Sequence, residues 1–498
     1  MKPHLPLLIL LGAAGCGTEA DDVTEVEDVA VRSQASDLSQ KWELCGKKAV
    51  RLADIYPGAA GSDPADLIHG DRILFFTADD GTHGRELWRS SGTGGSGTAL
   101  VKDIYPGLAS SEISNFTRVG NRVFFAADDG VHGYELWVTD GTSAGTYLVK
   151  DIYPGPADGI FRPNPFFTSN EPLLIEFGGV LYFGANDGVH GSELWRSDGT
   201  EEGTYLVDDI EPGPDGSFPR TFARVGNEAF YFVAAQEVAS IDTIHLWRST
   251  GVPGAISVLS RAGDNVIFSP LAVKSRLYFL LDNDEGEARL WKTDGAASNT
   301  EQLRPFAGEY PHDLVALGNR LIFSAGDGEP EGDELWTSDG SPSGTQLVKD
   351  IWPGPMSSSP SSLAVLGSRV FFAADDGSGD GRELWVSNGT GTGTRLFKDL
   401  ASGGASSDPN ALASIEGTLF FSANDGVHGF EPWVSDGTRS GTKQLHGLAH
   451  GSASSSPRDF VRSGWDVFFS ADDGKTGREL WALPFRPKGE CEQNSNAD

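Results

Sequence analysis

Several residue types are scarce in this sequence, and each shortage excludes a class of protein. Only 3 Cys and 2 Met occur among 498 residues, and no CxxC pair is present, which excludes the common zinc and dithiol sites. Basic residues number 38 against 71 acidic residues, giving a net charge of -33. Because nucleic acid and anionic lipid both need a basic surface, this balance excludes sequence-independent binding to either.

Long apolar runs are scarce too. The run at residues 5–15, LPLLILLGAAG, has about eleven residues, whereas a membrane-spanning helix needs about 20. It therefore predicts a signal peptide over residues 1–15. Ala13, Ala14 and Gly15 before Cys16 resemble the lipobox of bacterial lipoproteins, although Ala13 stands where Leu is usual. The resemblance implies that Cys16 is acylated; the alternative is an ordinary signal peptide with an incidental cysteine.

The other two cysteines lie near the two ends of the remaining chain. Residues 16–44 are acidic and lack apolar periodicity, which predicts a tether. Cys45 and Cys491 then delimit a single domain over residues 45–491, followed by a tail over residues 492–498. Since disulfides persist in exported proteins, we expect these two cysteines to pair, provided that the fold brings the two ends together.

What the sequence has in abundance is an internal repeat. Glu-Leu-Trp or a close variant recurs about every 49 residues, with its Trp at positions 88, 137, 195, 247, 291, 336, 385, 433 and 481. The unit over residues 103–152 contains four short runs rich in Val, Phe, Leu, Trp and Tyr, bounded by turn residues. Four strands per unit predict an all-β protein, a β-propeller of about nine blades. Because the fourth and fifth copies are degenerate, eight blades plus an irregular insertion is the alternative.

The two ends of the repeat region predict how the ring closes. Residues 48–58 match an outermost strand, whereas residues 477–485 match a third strand, so the last unit lacks a fourth strand. We expect the N-terminal strand to complete the last blade. Closure of this kind leaves no open sheet edge, and it would bring Cys45 close to Cys491.

The repeat also carries a family resemblance. The phrases YELWVTDGTSAGTYLVKDIYPG (residues 134–155) and SELWRSDGTEEGTYLV (residues 192–207) resemble the ELWxxDGT, or hyalin-like, repeat lipoproteins of bacteria, over roughly residues 48–485. The resemblance implies an exported or surface-associated repeat protein, and it implies no catalytic residue. The fourth and fifth copies depart most from the pattern, so features built on the motif should fail there.

Acidic turns between the second and third strands form the first candidate site. Each has Asp or Asn and Asp before Gly, with a Glu a few residues later, and such oxygen ligands in flexible loops suit Ca²⁺. Asp-Gly also favours a hairpin turn without any metal, and we favour this interpretation over calcium. The residues that would bind calcium are Asp79, Asp80 and Glu86; Asp128, Asp129 and Glu135; Asp187 and Glu193; Asp375, Asp376 and Glu383; Asp425 and Glu431; and Asp472, Asp473 and Glu479.

A break in the repeat is the second candidate site. The insertion over residues 156–179 contains Phe161, Phe166 and Phe167, and residues 236–245 replace the acidic turn of the fourth unit. In a propeller both connections emerge on one face, which predicts a binding surface there. No motif for catalysis is present, and Ca²⁺ is the only cofactor that the sequence suggests.

These observations predict a monomeric, lipid-anchored propeller of the bacterial cell envelope. We expect the outer membrane, with the domain facing the periplasm or the exterior, and membrane contact only through the lipid. The predicted function is binding of a protein or a glycan. A hydrolytic propeller with acids at the channel mouth and a structural protein without a ligand are the alternatives.

Overall fold

A computed structural model describes residues 41–46, 48–92, 97–162, 172–238, 241–262, 267–282, 287–328 and 332–491. Cys16, Phe166, Phe167 and the tail over residues 492–498 lie outside the described residues. Trp42–Asp498 form one compact unit. In the described ranges the secondary structure consists of strands and two 3₁₀ turns, Ala297–Asn299 and Gly391–Gly393. None of the described residues belongs to a helix long and apolar enough to cross a membrane.

The strands form nine antiparallel sheets, which we number as blades 1 to 9 in the order of their first strands. The first strand of each blade packs against the first strands of its two neighbours, so these strands line the centre of a closed ring. They are β3 (Ala65–His69), β7 (Ser114–Val119), β11 (Leu174–Phe177), β15 (Arg220–Val225), β19 (Ile267–Val273), β23 (His312–Leu317), β27 (Ser361–Leu366), β31 (Asn410–Ile415) and β35 (Arg458–Ser463).

The second and third strands form the middle of each blade. The second strands are β4 (Leu74–Asp79), β8 (Arg122–Asp128), β12 (Val180–Asn186), β16 (Ala229–Val238), β20 (Arg276–Asp282), β24 (Arg320–Ala325), β28 (Arg369–Ala374), β32 (Thr418–Asn424) and β36 (Asp466–Asp472). The third strands, which carry the repeated Trp, are β5 (Arg85–Ser90), β9 (Tyr134–Thr139), β13 (Ser192–Ser197), β17 (Ile241–Ser249), β21 (Ala288–Thr293), β25 (Glu334–Ser338), β29 (Glu383–Ser387), β33 (Phe430–Ser435) and β37 (Arg478–Pro487).

The outer strands complete the blades, and the last blade takes its outer strands from the start of the chain. Blades 1 to 8 end in β6 (Thr98–Lys102), β10 (Tyr147–Lys150), β14 (Tyr205–Asp208), β18 (Ile256–Ala262), β22 (Glu301–Phe306), β26 (Gln346–Lys349), β30 (Arg395–Lys398) and β34 (Lys443–Gln444). In blade 9, β1 (Trp42–Leu44) and β2 (Val50–Arg51) both pair with β37. The prediction of nine blades, closed by the N-terminal strand, is confirmed.

A disulfide secures this closure. Cys45 and Cys491 are bonded, with their Cα atoms 5.1 Å apart and 446 positions apart in the sequence. The backbone N–H of Cys45 also donates to the carbonyl of Pro484 at 2.9 Å. The predicted pairing is therefore confirmed, and it lies beside the seam between the first and last parts of the chain.

The hydrophobic core is divided into layers between neighbouring blades. In β8, Val123 and Phe125 pack with residues of blade 1, while Phe124 and Ala126 pack with residues of blade 3. All four side chains are at most 1% exposed. A strand that is buried on both faces needs apolar residues at successive positions, which explains the continuous apolar runs of the second strands.

Lysines of the outer strands link one blade to the next. The ammonium group of Lys102 lies 5.5 Å from the centre of the Trp137 ring and donates to the carbonyl of Thr146 at 2.7 Å. Lys150, Lys349 and Lys398 make the same two contacts with the blades that follow them. The repeated Trp therefore packs at a blade interface.

The ring has two faces with different connections. We define the upper face as the one that carries the turns between second and third strands together with the loops that connect successive blades. The lower face carries the turns from first to second and from third to outer strands. β37 runs from Arg478, which pairs with Asp472 at the upper end of β36, to Pro487, and β1 pairs with its far end, so β1 and the disulfide lie at the lower face.

Candidate functional site

The glutamates of the repeat lie inside the upper part of the blades, where they bind the connecting loops. Glu86 accepts the backbone N–H groups of Ile104 at 2.9 Å and Tyr105 at 3.2 Å, and the hydroxyl of Ser111 at 2.9 Å. Six more blades have a fully buried glutamate at this position, Glu135, Glu193, Glu334, Glu383, Glu431 and Glu479. Buried carboxylates with several donors hold the loops that form the upper face.

Burial makes these carboxyl groups weaker acids than exposed glutamates. Loss of water raises the pKa of Glu86 to about 7 even though three groups donate hydrogen bonds to it. The pKa of Glu135 rises further, to about 8, again because of burial. Glu135 lacks the seryl hydroxyl that its counterparts have, because Gly159 stands at that position, and its Oε2 has no hydrogen-bond partner.

The aspartates of the Asp-Gly turns have different partners. Oδ1 of Asp79 accepts the N–H of Gly81 at 2.7 Å, and Oδ1 of Asp80 accepts the N–H groups of Thr82 and His83 at 2.8 and 2.9 Å. Nδ1 of His83 lies 2.7 Å from Oδ2 of Asp80. Although burial opposes the change, the bonds from His83 and Thr82 lower the pKa of Asp80 to about 2. The aspartates therefore stabilise their own turns.

The same arrangement recurs in three more blades, with Asp129 and His132, Asp187 and His190, and Asp425 and His428. Gly81 has a φ of +77°, and a Cβ atom there would lie 2.6 Å from the ring of Tyr56. Tyr105, Tyr153 and Trp352 occupy the corresponding place below Gly130, Gly188 and Gly377. Each of these turns therefore needs glycine, because an aromatic residue of a connecting loop occupies the space that a side chain would take.

The candidate calcium ligands therefore fall into two separate hydrogen-bond networks, one within the turns and one below the connecting loops. In the part of the chain that the structure describes, no three His, Cys, Asp or Glu side chains are grouped to hold a metal. Calcium binding by these residues stays a prediction. In blades 4 and 5, His245 and Arg289 replace the buried glutamate. These are the two copies in which the sequence predicts that features built on the motif are absent.

An aromatic pair lies on the upper face, at the ends of two connecting loops. Phe161 stands after blade 2 and Phe218 after blade 3, and their ring centres are 5.3 Å apart. They are 42% and 40% exposed. Phe218 has a φ of +55°, which is unusual for a residue with a side chain, and it comes just before the channel-lining strand β15. Phe161, a predicted binding residue, is thus exposed next to Phe218, which the sequence did not predict.

Arg162 fixes the loop that carries Phe161. Its guanidinium group binds Asp158 at 2.7 Å, Asp128 at 2.5 Å, and Glu112. It also lies 5.0 Å from the centre of the Tyr134 ring. Three carboxylates from two connecting loops and one strand end therefore surround one cation, which holds Phe161 in place.

About half of the exposed large apolar side chains lie on the upper face. Among the described residues, the large hydrophobic side chains that are exposed there are Leu108, Val131, Phe161, Val189, Phe218, Met356 and Val427. Val131, Val189 and Val427 stand at the tips of Asp-Gly turns and are at least 63% exposed. Phe161 and Phe218 are the aromatic members of this set, and their rings are in contact.

A cluster of ionisable residues that does not recur in the other blades lies at the upper end of β23. Nδ1 of His312 is 3.5 Å from Oδ2 of Asp313, and Nε2 is 3.3 Å from Oδ2 of Asp333. Against the effect of burial, these two carboxylates raise the pKa of His312 to about 9. Asp333 also accepts the hydroxyl of Ser324 at 2.7 Å, and Asp313 accepts the N–H of Ser362 at 3.0 Å. Both carboxylates are thus engaged with protein donors.

Two shallow cavities lie elsewhere. One, of about 250 Å³, is lined by Arg276, Lys292, Asp294 and neighbouring residues of blade 5. The other, of about 450 Å³, lies between blades 5 and 6 and is lined by Arg304, Asp327 and Pro342 among others. Neither includes the aromatic pair or the His312 cluster.

Comparison of the sequence with protein-family models finds no match, and comparison with curated proteins finds none either. Among solved structures, the chain is similar to a puromycin-hydrolysing peptidase of Mycobacterium tuberculosis, with 12% identity and a TM-score of 0.40 over 72% of this chain and 58% of that one. It is also similar to oligopeptidase B of Leishmania major, with 11% identity and a TM-score of 0.38 over 72% and 52% of the two chains. The chain spans a little over half the length of these peptidases, and at such values the likeness carries no functional argument.

Proposed function

We propose that this chain is a lipid-anchored propeller of the bacterial cell envelope that binds a glycan or a protein through its upper face. The observation that carries the proposal is the exposed pair Phe161 and Phe218 beside the central channel. Two half-exposed aromatic rings held by a buried framework offer a rigid apolar platform, and little conformational entropy is lost when a ligand covers it.

The surroundings of the pair support a binding role. Arg162 and the three carboxylates around it add a polar rim next to the rings. The buried glutamates below the connecting loops keep this face ordered without contributing to its surface. Binding sites combine an apolar centre with polar groups at the rim in this way.

The position of the first strands supports the anchor. β1 lies at the lower face, so a lipid on Cys16 would be linked to the domain through the strand that closes the ring there. The proposed ligand face is the opposite one, so the attachment would not pass through the binding surface.

The test is to screen the purified protein against arrays of soluble oligosaccharides and of peptides, and to compare it with the F161S/F218S variant. We expect the double substitution to weaken binding of the retained oligosaccharide or peptide about tenfold or more, since two aromatic anchors are lost. Val252, which is 60% exposed on the lower face, provides the control V252S. Absence of binding to either array would favour a structural protein, and equal binding by F161S/F218S would refute this site.

A hydrolytic propeller remains the alternative function, and its acids would be Asp313 and Asp333, the pair that does not recur in other blades. The same oligosaccharides and peptides can be incubated with the protein and examined for new reducing ends or new amino termini. Because both carboxylates are bound to protein donors and to His312, we expect no cleavage. Cleavage that D333N abolishes would establish the alternative.

A further inference from the structure

Charge is distributed unevenly between the two faces of the ring. Four second strands begin at the lower face with arginine, at positions Arg122, Arg276, Arg320 and Arg369. Four end at the upper face with aspartate, at positions Asp79, Asp128, Asp282 and Asp472. The middle of the blades therefore directs negative charge to the face that carries the aromatic pair.

The loops and turns of the upper face are acidic as well. Within the described ranges, their exposed acidic residues are Asp54, Asp63, Glu112, Asp158, Asp209, Asp215, Glu309, Asp380, Asp399 and Asp408. Their exposed basic residue, over the same ranges, is Lys475. Asp54 and Asp63 are paired with Arg51 and Arg458, whereas the six acids from Asp209 onward form no ion pair with a described residue. A surface of this kind attracts cations and repels anions.

The same imbalance holds next to the aromatic pair. The loop before Phe218 contains no base and three acids, Asp209, Glu211 and Asp215. Beside Phe161, the one guanidinium group of Arg162 faces three carboxylates, those of Glu112, Asp128 and Asp158. Arg220, the second cation of this region, donates to the carbonyl of Phe218 at 3.2 Å. Acids therefore outnumber bases around the two rings.

We propose that the ligand of the upper face is a basic peptide segment of another protein. An apolar side chain of the segment would cover Phe161 and Phe218, and its Lys or Arg side chains would meet the surrounding carboxylates. The rings themselves also attract Lys and Arg, because the face of an aromatic ring is electron-rich. The inference rests on the proposed function, whose ligand it narrows from a glycan or a protein to one class.

Charge complementarity selects this class. An anionic glycan would meet like charges on the upper face, and such contacts cost several kcal/mol. A neutral glycan would gain nothing from the carboxylates that surround the rings. A basic segment uses both features of the site, since the rings provide contact area and the carboxylates increase the rate of encounter.

The first test compares four labelled peptides by fluorescence anisotropy with the purified protein. One peptide alternates lysine with phenylalanine; the others replace every lysine with glutamine, every lysine with glutamate, or every phenylalanine with serine. We expect the lysine–phenylalanine peptide to bind about tenfold more tightly than the glutamine peptide and the serine peptide, and the glutamate peptide to bind most weakly. Equal binding of the lysine and glutamine peptides, or of the phenylalanine and serine peptides, would overturn the proposal.

Salt provides a second measurement on the same peptides. The screening length shortens from about 10 Å at 0.1 M salt to about 3 Å at 1 M, so the lysine–phenylalanine peptide should lose its advantage over the glutamine peptide. An advantage that is independent of salt would contradict an electrostatic contact.

The variant D209N/D215N locates the charges, because it removes two carboxylates from the Phe218 loop and leaves both rings. We expect it to weaken binding of the lysine–phenylalanine peptide about fivefold and to leave the glutamine peptide unchanged. The matched control is E201Q/E202Q, which removes two exposed carboxylates from the lower face of the preceding blade. Equal effects of the two variants would refute a local contact.

The variant F161S/F218S separates this inference from the proposed function. If F161S/F218S loses an oligosaccharide or the glutamine peptide while lysine gives no advantage, the binding site stands and the basic ligand is refuted. If it binds the lysine–phenylalanine peptide as well as the native protein does, the proposed site itself is wrong.

Discussion

Glu135 offers the sharpest test of how the upper face is held together. Its carboxyl group is fully buried, Oε1 accepts the N–H of Tyr153 at 3.1 Å, and the N–H groups of Tyr153, Ile152 and Gly159 offset the burial only in part. Its pKa is raised from 4.5 to about 8 by burial. The folded protein therefore binds this proton more tightly than the unfolded chain does, so the stabilisation is complete below pH 4.5 and is lost as the pH rises toward 8.

The size of the effect follows from the shift. At 1.36 kcal/mol for each pKa unit, Glu135 should destabilise the folded state by about 3 kcal/mol at pH 7 and by about 5 kcal/mol above pH 8, relative to pH 4.5. Glu135→Gln keeps the shape and an acceptor for Tyr153 but cannot ionise. We expect this variant to match the native protein near pH 4.5 and to be more stable at pH 8 to 9. For a domain of about 450 residues, each kcal/mol corresponds to about 1 °C in melting temperature.

The next blade supplies the matched control, Glu193→Gln. Both oxygens of Glu193 accept hydrogen bonds, Oε2 from Ile210 at 2.9 Å and from the Ser217 hydroxyl at 2.7 Å, and Oε1 from the Ser217 N–H at 2.8 Å. An amide would direct N–H groups at donors, which should cost about 1–3 kcal/mol at pH 7. Melting curves of the native protein and both variants from pH 4.5 to 9 test these expectations. If E135Q melts below the native protein at pH 9, or if its difference from the native protein does not change with pH, the reasoning is wrong.

Three further predictions concern other parts of the molecule. Removing the disulfide with C45S/C491S should destabilise the ring by up to about 6 kcal/mol in the loop-entropy model, given its separation of 446 residues, and a melting temperature unaffected by the substitution would refute a role in closure. Because the turn aspartates are occupied by their own backbone N–H groups, a chelator should leave the melting temperature unchanged, whereas a fall that Ca²⁺ reverses would support calcium binding instead. Asp313→Asn should lower the pKa of His312 from about 9 toward 6.5 in an NMR titration of the imidazole, and a pKa that stays near 9 would show that Asp313 is not its main partner.

Much of the fold can be read from the spacing of one residue type. The nine Trp positions predict nine blades, and the structure has nine, including the degenerate fourth and fifth. The unmatched outer strand at residues 48–58 predicts ring closure, because a strand without a partner in its own unit must pair elsewhere. From that closure follows the bond between Cys45 and Cys491.

The site is harder to predict because its contacts join different repeats. The sequence pattern offers Glu86 as a candidate calcium ligand, whereas the structure buries it below a connecting loop. The sequence does carry a signal for this contact, because a serine follows the glutamate at a nearly constant spacing. Ser111 follows Glu86 by 25 residues, and Ser217 follows Glu193 by 24. For Phe218 no such signal exists, because its exposure depends on a left-handed backbone and on Phe161 from the preceding loop.

The closure of blade 9 also determines the order in which the chain can finish folding. β1 and β2 are synthesised first, yet their partner β37 is synthesised last. Until Arg478 and the residues after it are made, the first strands have no sheet to join, and the growing ring has two open edges. Ring closure is thus a contact of very large sequence separation, and such contacts form late and slowly. A chain that ends before β37 would expose an unpaired sheet edge to other molecules. The synthesis of β37 therefore both completes the ring and protects it from aggregation.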